Sequence, residues 1–229
     1  MTKKERVLAV MKKEQVDMIP AGFWFHYKSD YTVQQMIDEH MKLFRTTDMD
    51  IIKIMQDYPY PISGKITCAD DWYHIQVKGT DSEEFAKMAE IIRGIRKEAG
   101  KDVLIFQTMF GPFKAASMIF GDDVLMKYSK EAPEAVVAGV KIIADALEEW
   151  TKGYLEAGAD GIYYSAQFGE IGRFEKNEWE ELVRPYDLQI LKVAEEMPEK
   201  YNILHICGEP EYQFETHVEW FKNYPADLI

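Results

Sequence analysis

Of the two cysteines in this 229-residue chain, one stands two residues after a histidine, in the stretch "NILHICGEP" at 202–210. On a β-strand, residues i and i+2 face the same side, about 7 Å apart along the backbone. His205 and Cys207 therefore share a face if this apolar run is a strand. Imidazole and thiolate are both good zinc ligands, and their reach can converge on one ion. Bound zinc lowers the pKa of a thiol and makes it a nucleophile near neutral pH. The plain alternative is a buried cysteine beside a hydrogen-bonded core histidine, and the spacing alone leaves both open. A catalytic zinc normally takes three ligands from protein. Glu170 is a candidate oxygen ligand or proton relay, with a solvated loop carboxylate as its alternative. Cys68 would need long-range folding to join them.

Other groups that could touch a ligand stand where apolar runs end. Asp57 lies between "IIKIMQ" and "YPYP", placed to accept hydrogen bonds from a substrate or to carry a proton. A turn-capping aspartate is the alternative there. His26 and Tyr27 close "MIPAGFWF" (18–25), an aromatic stretch that reads as packing first and pocket wall second. Gln107 falls inside "DVLIFQTMFG" (102–111), and Ser165 and Gln167 end "DGIYYSA" (160–166) and enter its loop.

Those residues need a scaffold, and the chain supplies an alternation. Thr2 and Glu5 form a possible capping box for a helix to about Glu14. Strands are expected at 18–25, 50–55, 102–111, 160–166 and 201–207. Helices are expected from Val33 to Phe44, from Asp81–Ser82 to Ala99, from Pro112, from Pro133 to Ala157, and from Asn177 to Met197. Residues 71–79 read as a small irregular or hairpin element, and 216–224 as a short helix before "ADLI". Short apolar strands between amphipathic helices imply a parallel sheet covered by helices. No G-x-G-x-x-G or G-x-x-x-x-G-K follows any strand, so a nucleotide-binding sheet lacks its phosphate loop. Polar groups at many strand ends are the pattern of a β/α (TIM-type) barrel. The five strands, with a stub at 226–229, fall short of the eight of a closed barrel. The expectation is one domain over 1–229, a barrel truncated after five to six strands.

Bulk composition narrows the partners. With 47% hydrophobic and 29% charged residues the chain can build a core. No apolar run reaches the ~18–20 residues of a membrane span, and the N-terminus lacks a signal-peptide core. Two cysteines cannot frame a disulfide scaffold, so a reducing, cytoplasmic setting is expected. A formal net charge of −13 disfavours nucleic acid and anionic membranes and leaves a small-molecule substrate.

The chain resembles the uroporphyrinogen decarboxylase superfamily, which includes the decarboxylase of haem biosynthesis and corrinoid-linked, zinc-dependent methyltransferases. The resemblance rests on "KKERVLAVMKKEQVDMIPAGFW", "FGPFKAASMIFGDD", "LEAGADGIYYSAQFGEIGRFEKNEWEELVRPYDLQIL" and "ILHICG", in family order and spacing. It implies an eight-stranded β/α barrel and a chain longer than this one. The decarboxylases carry an arginine-rich loop after the first strand, where "FWFHYKSD" offers only Lys28. They also carry a tyrosine where Met118 stands, while their strand-end aspartate, which holds pyrrole N–H groups, corresponds to Asp57. The methyltransferases use H-x-C on one strand plus a distant cysteine; His205 and Cys207 match the first part. The resemblance therefore implies methyl transfer between a corrinoid partner protein and a thiol-type acceptor, with zinc as cofactor. Uroporphyrinogen decarboxylation and non-catalytic corrinoid or tetrapyrrole binding are the alternatives.

Overall fold

The computed structural model describes residues 1–229. The first helix, α1 (Lys3–Met11), opens on the expected reciprocal cap: Glu5 N–H donates to Thr2 Oγ1, and Thr2 N–H donates to the Glu5 carboxylate. Helix α2 (Val33–Thr47) is followed by strand β1 (Ile51–Ile54) and a two-strand hairpin, β2 (Ile62–Ser63) with β3 (Gln76–Val77), enclosing a 3₁₀ turn at Ala69–His74. Then come α3 (Glu83–Ala99), β4 (Leu104–Phe110), α4 (Pro112–Phe120), α5 (Asp122–Glu131), α6 (Pro133–Ala157), β5 (Gly161–Ala166), α7 (Lys176–Leu182), α8 (Arg184–Glu196) and β6 (Tyr201–Ile206).

Strands β1, β4, β5 and β6 form one parallel sheet in that order. Consecutive strands are joined by helices, as parallel neighbours require. The β5–β6 register sets Ser165 opposite His205. Period-two alternation divides the sheet. Ile52, Ile54, Ile105, Met109, Ile162, Tyr164 and Leu204 belong to the large core shared with the helices. Leu104, Phe106 and Ile203 join Val7 of α1 in a smaller cluster on the opposite, open face. The open face is thus stoppered by α1 at the N-terminal ends of the strands. No helix is long and apolar enough to cross a membrane.

Three expectations need correction. Residues 18–25 are not a strand: they run irregularly beside β1, leaving Met18, Ile19, Phe23, Trp24 and Phe25 exposed. Asp50 N–H donates to Ala21 O, but Ala21 N–H turns to the Asp50 carboxylate, and Pro20 has no N–H to give. The sheet accordingly has four strands instead of five. Beyond β6, Leu228 makes a single parallel bridge to Ile203. The single helix expected over 177–197 is broken at Val183, because Pro185 has no N–H to donate to the Glu181 carbonyl four residues back; Glu175, not Asn177, caps α7. Residues 216–224 form only a 3₁₀ turn at Val218–Phe221.

Candidate functional site

The C-terminal half of the open face gathers most of the chemistry. His205 ends β6, half-buried, its ring 5.9 Å from that of Tyr163 on β5. Burial, with the nearby Lys53 charge adding to it, lowers the imidazole pKa and favours the neutral ring. Cys207 follows on the same face, also half-buried, its N–H donating to Ala166 O at 2.9 Å. Burial first, and Glu209 second, push its thiol up. Gly208 is fixed by close approach: a Cβ there would stand 2.8 Å from the backbone of Phe214. Ser165 shares this face, and Gln167 Nε2 donates to its hydroxyl at 3.4 Å, while Gln167 Oε1 has no partner.

Across the sheet, β1 contributes Lys53, which the sequence reading missed. Its ammonium lies over two rings, 4.0 Å from the centroid of Trp24 and 3.8 Å from that of Tyr163. Lys53 is 6% exposed, and burial pushes its pKa down to about 8 against the opposing pull of Cys207 and Asp57. The signal was a lone lysine inside an apolar strand, "DIIKIM", alternating with Ile52 and Ile54 and so facing away from the side they bury. Asp57 follows the same strand. Its Oδ1 accepts from His26 Nδ1 at 2.7 Å and its Oδ2 from Tyr27 N–H at 3.0 Å. Three candidate residues, His26, Tyr27 and Asp57, thus meet at one carboxylate. Trp24 stands edge-on to His26 at 5.3 Å, which joins the Lys53 and Asp57 groups into one wall.

Two candidates lie elsewhere. Gln107 shares the parity of Ile105 and Met109 and points to the helices, where its Nε2 donates to Gln56 Oε1 and Thr108 O. It belongs to a buried polar knot with Tyr154 and does not line the open face. Glu170 is wholly buried, not solvated. One oxygen accepts from Arg173 at 3.5 Å and the other has no partner, and burial raises its pKa. Arg173 in turn pairs with Asp122 and lies over the Phe168 ring.

The donor chemistry suits zinc only in part. His205 and Cys207 are neighbours on one face, and the lowered imidazole pKa favours the ligating form. No group of three or more His, Cys, Asp or Glu side chains is arranged to hold a metal ion, so Glu170 is not assembled with them into a three-ligand site. Beside His205, an apolar groove of about 790 Å³ runs along the open sheet edge, lined by Ile19, Ile51, Tyr163, Ile203 and Leu228 among others.

The fold is similar to that of a methyltransferase from Methanosarcina mazei, with a TM-score of 0.72 at 17% identity, over 99% of this chain and 75% of that one. It is less similar to a B12-independent methionine synthase from a Shewanella species, with a TM-score of 0.50 at 14% identity, over 89% of this chain and 63% of that one. At such identities the likeness is one of fold: an arc of parallel strands and helices of the β/α-barrel type. No curated protein matches the sequence. The family model described as uroporphyrinogen decarboxylase (URO-D) matches residues 47–226, and the chain belongs to that family.

Proposed function

We propose that this chain is a methyl-transferring enzyme, in which His205 and Cys207 contribute to a zinc site and the methyl group arrives on a corrinoid partner protein. The observation that carries the reading is that His205 near the end of β6 and Cys207 just beyond it follow the strand's alternation onto the face opposite the main core. That is where β/α barrels keep their chemistry. Zinc, when bound, supplies a Lewis acid that keeps an acceptor thiol ionised near neutral pH. The residues of the chain do the rest. Burial holds His205 neutral and ready to ligate, and keeps Cys207 protonated, hence unreactive, until a cation displaces its proton. Tyr163 and Ser165 wall the ligand from one side, and the Lys53–Trp24–His26–Asp57 group from the other. Asp57 accepts one hydrogen bond on each oxygen and keeps lone pairs for a ligand, so it is the missing arginine-rich loop, where only Lys28 stands, that gives a decarboxylase less support.

Titration with cobalt(II), a spectroscopic stand-in for zinc, tests the metal half. A thiolate-to-cobalt charge-transfer band should appear and be lost in Cys207→Ser. With two donors from the chain, binding should be weak. Absence of the band in the unmodified protein removes the mechanism.

A further inference from the structure

We infer that Lys53 is the seat of an anionic group on the ligand of this site, a residue that reads the charge of the substrate. The inference rests on the proposed function only for the location of that ligand. Four observations carry it. First, Lys53 is the only Lys, Arg, Asp or Glu on the open face of the four strands; the rest of that face is Ile51, Leu104, Phe106, Thr108, Phe110, Gly161, Tyr163, Ser165, Tyr201, Ile203 and His205. Second, its ammonium lies over the rings of both Trp24 and Tyr163, so its position is fixed by two π-faces and not by an acceptor. Third, the chain supplies no hydrogen-bond acceptor to Nζ: the groups acting on its charge are Asp57 and Cys207, both through space only. Asp57, the carboxylate best placed to pair with it, is held by His26 and Tyr27 instead. Fourth, Tyr163, which carries the cation on its ring, also stands beside His205 and lines the groove.

A cation this little exposed and without a carboxylate partner is costly, and a chain with a net charge of −13 had carboxylates to spare for it. The three donors of Nζ are saved for something from outside. Two rings take no hydrogen bond from the ammonium, so its donors suit a carboxylate on the ligand. This is not the arginine-loop recognition that the sequence lacks. It is a single cation set into the sheet itself, where low local polarity strengthens one charge-assisted hydrogen bond.

Two thiols that differ in charge provide the test. In calorimetry at neutral pH, 3-mercaptopropionate should bind the unmodified protein about tenfold more tightly than 2-mercaptoethanol, the size of one charge-assisted contact. Lys53→Met should shrink that ratio to below about twofold, on the same scale, and Lys53→Arg should keep most of it. A readout that needs no variant is acetylation of Lys53 by acetic anhydride, followed by mass spectrometry. 3-Mercaptopropionate should slow it and 2-mercaptoethanol should not. Equal binding of the two thiols, or no binding of either, overturns the inference. Propionate separates it from the function proposed above: if propionate protects Lys53 as well as the acidic thiol does, the anion seat stands and the thiol reading falls. If both thiols bind equally, the reverse holds.

Discussion

On the helix side of β5, Tyr164 donates to Asp187 at 2.6 Å, and Tyr224 donates to the other carboxylate oxygen at 2.9 Å. One residue earlier on the same strand, facing the other way, Tyr163 presents its ring to a lysine that has no acceptor. The two faces bury polar groups for different ends. On the helix face Tyr164, Asp187 and Tyr224 are closed into a knot, so tightly that a Cβ at Gly111 would stand 2.4 Å from the Asp187 carboxylate. On the open side Gln167 Oε1 has no partner, Lys53 Nζ is held by rings alone, and the Cys207 thiol makes only a long contact to its neighbour Gly208 O at 3.8 Å. Single neutral atoms go unpartnered on both sides of the sheet, Gln107 Oε1 and Asn202 Oδ1 among the helices and Gln167 Oε1 on the open side; what sets the open face apart is a charged group, the Lys53 ammonium, held by rings alone.

The largest expected effect compares truncations on the two faces. Ile162 is fully buried against the helices, and Ile162→Ala should cost roughly 2–5 kcal/mol in urea unfolding. Cys207→Ala, on the open face and half-buried, should cost no more than about 1 kcal/mol. The same change should abolish the cobalt band. Equal stability losses from the two would break the division into a load-carrying and a ligand-facing surface.

The Asp187 knot has a pH signature. Burial raises this carboxyl from 3.8 to about 7, against the lowering effect of its two tyrosine donors. The folded state therefore holds a proton that the unfolded chain releases near pH 3.8. The stabilisation from the neutral form is complete below that value and is lost as pH rises to about 7. Over that window the Asp187 contribution to stability should fall by up to ~1.4 kcal/mol per pH unit. Asp187→Asn, which cannot ionise, should remove this slope from thermal melts taken across the window. A variant with the same pH profile as the unmodified protein would show that the carboxylate is charged in place.

Most of the scaffold was legible because its signals are local. The strands at 104–110, 161–166 and 201–206 fall inside their apolar runs, and Thr2, Ser82, Gly100 and Gly158 cap or stop helices where their side chains or flexibility predict. The aromatic run at 18–25 misled because apolar composition records a demand for burial, while pairing depends on a neighbour far away in sequence. Gln107 misled for a smaller reason. Its strand was found, but which parity faces the helices is decided by the packing of the whole sheet. His205 and Cys207 were legible as a pair since i, i+2 spacing on a strand is its own geometry. Lys53 was not, because its meaning comes from Trp24 and Tyr163, 29 and 110 positions away on either side.

The smallest expected effect tests whether the Asp57 wall belongs to the open face or is merely loop structure. The His26 side chain is 63% exposed and that of Asp57 only 5%. Removing the imidazole loses one largely solvated hydrogen bond, so His26→Ala should lower stability by only about 0.5 kcal/mol. Asp57→Ala does more, since Tyr27 N–H then loses its acceptor in a part-buried position, a cost of about 1–3 kcal/mol. If the wall serves the ligand, His26→Ala should still weaken 3-mercaptopropionate binding, because Trp24 is set edge-on against the imidazole and in turn holds the Lys53 ammonium. A His26→Ala protein with unaltered stability and unaltered binding would separate Asp57 from the site and leave Lys53, His205 and Cys207, with Ser165 and Gln167, as its polar groups.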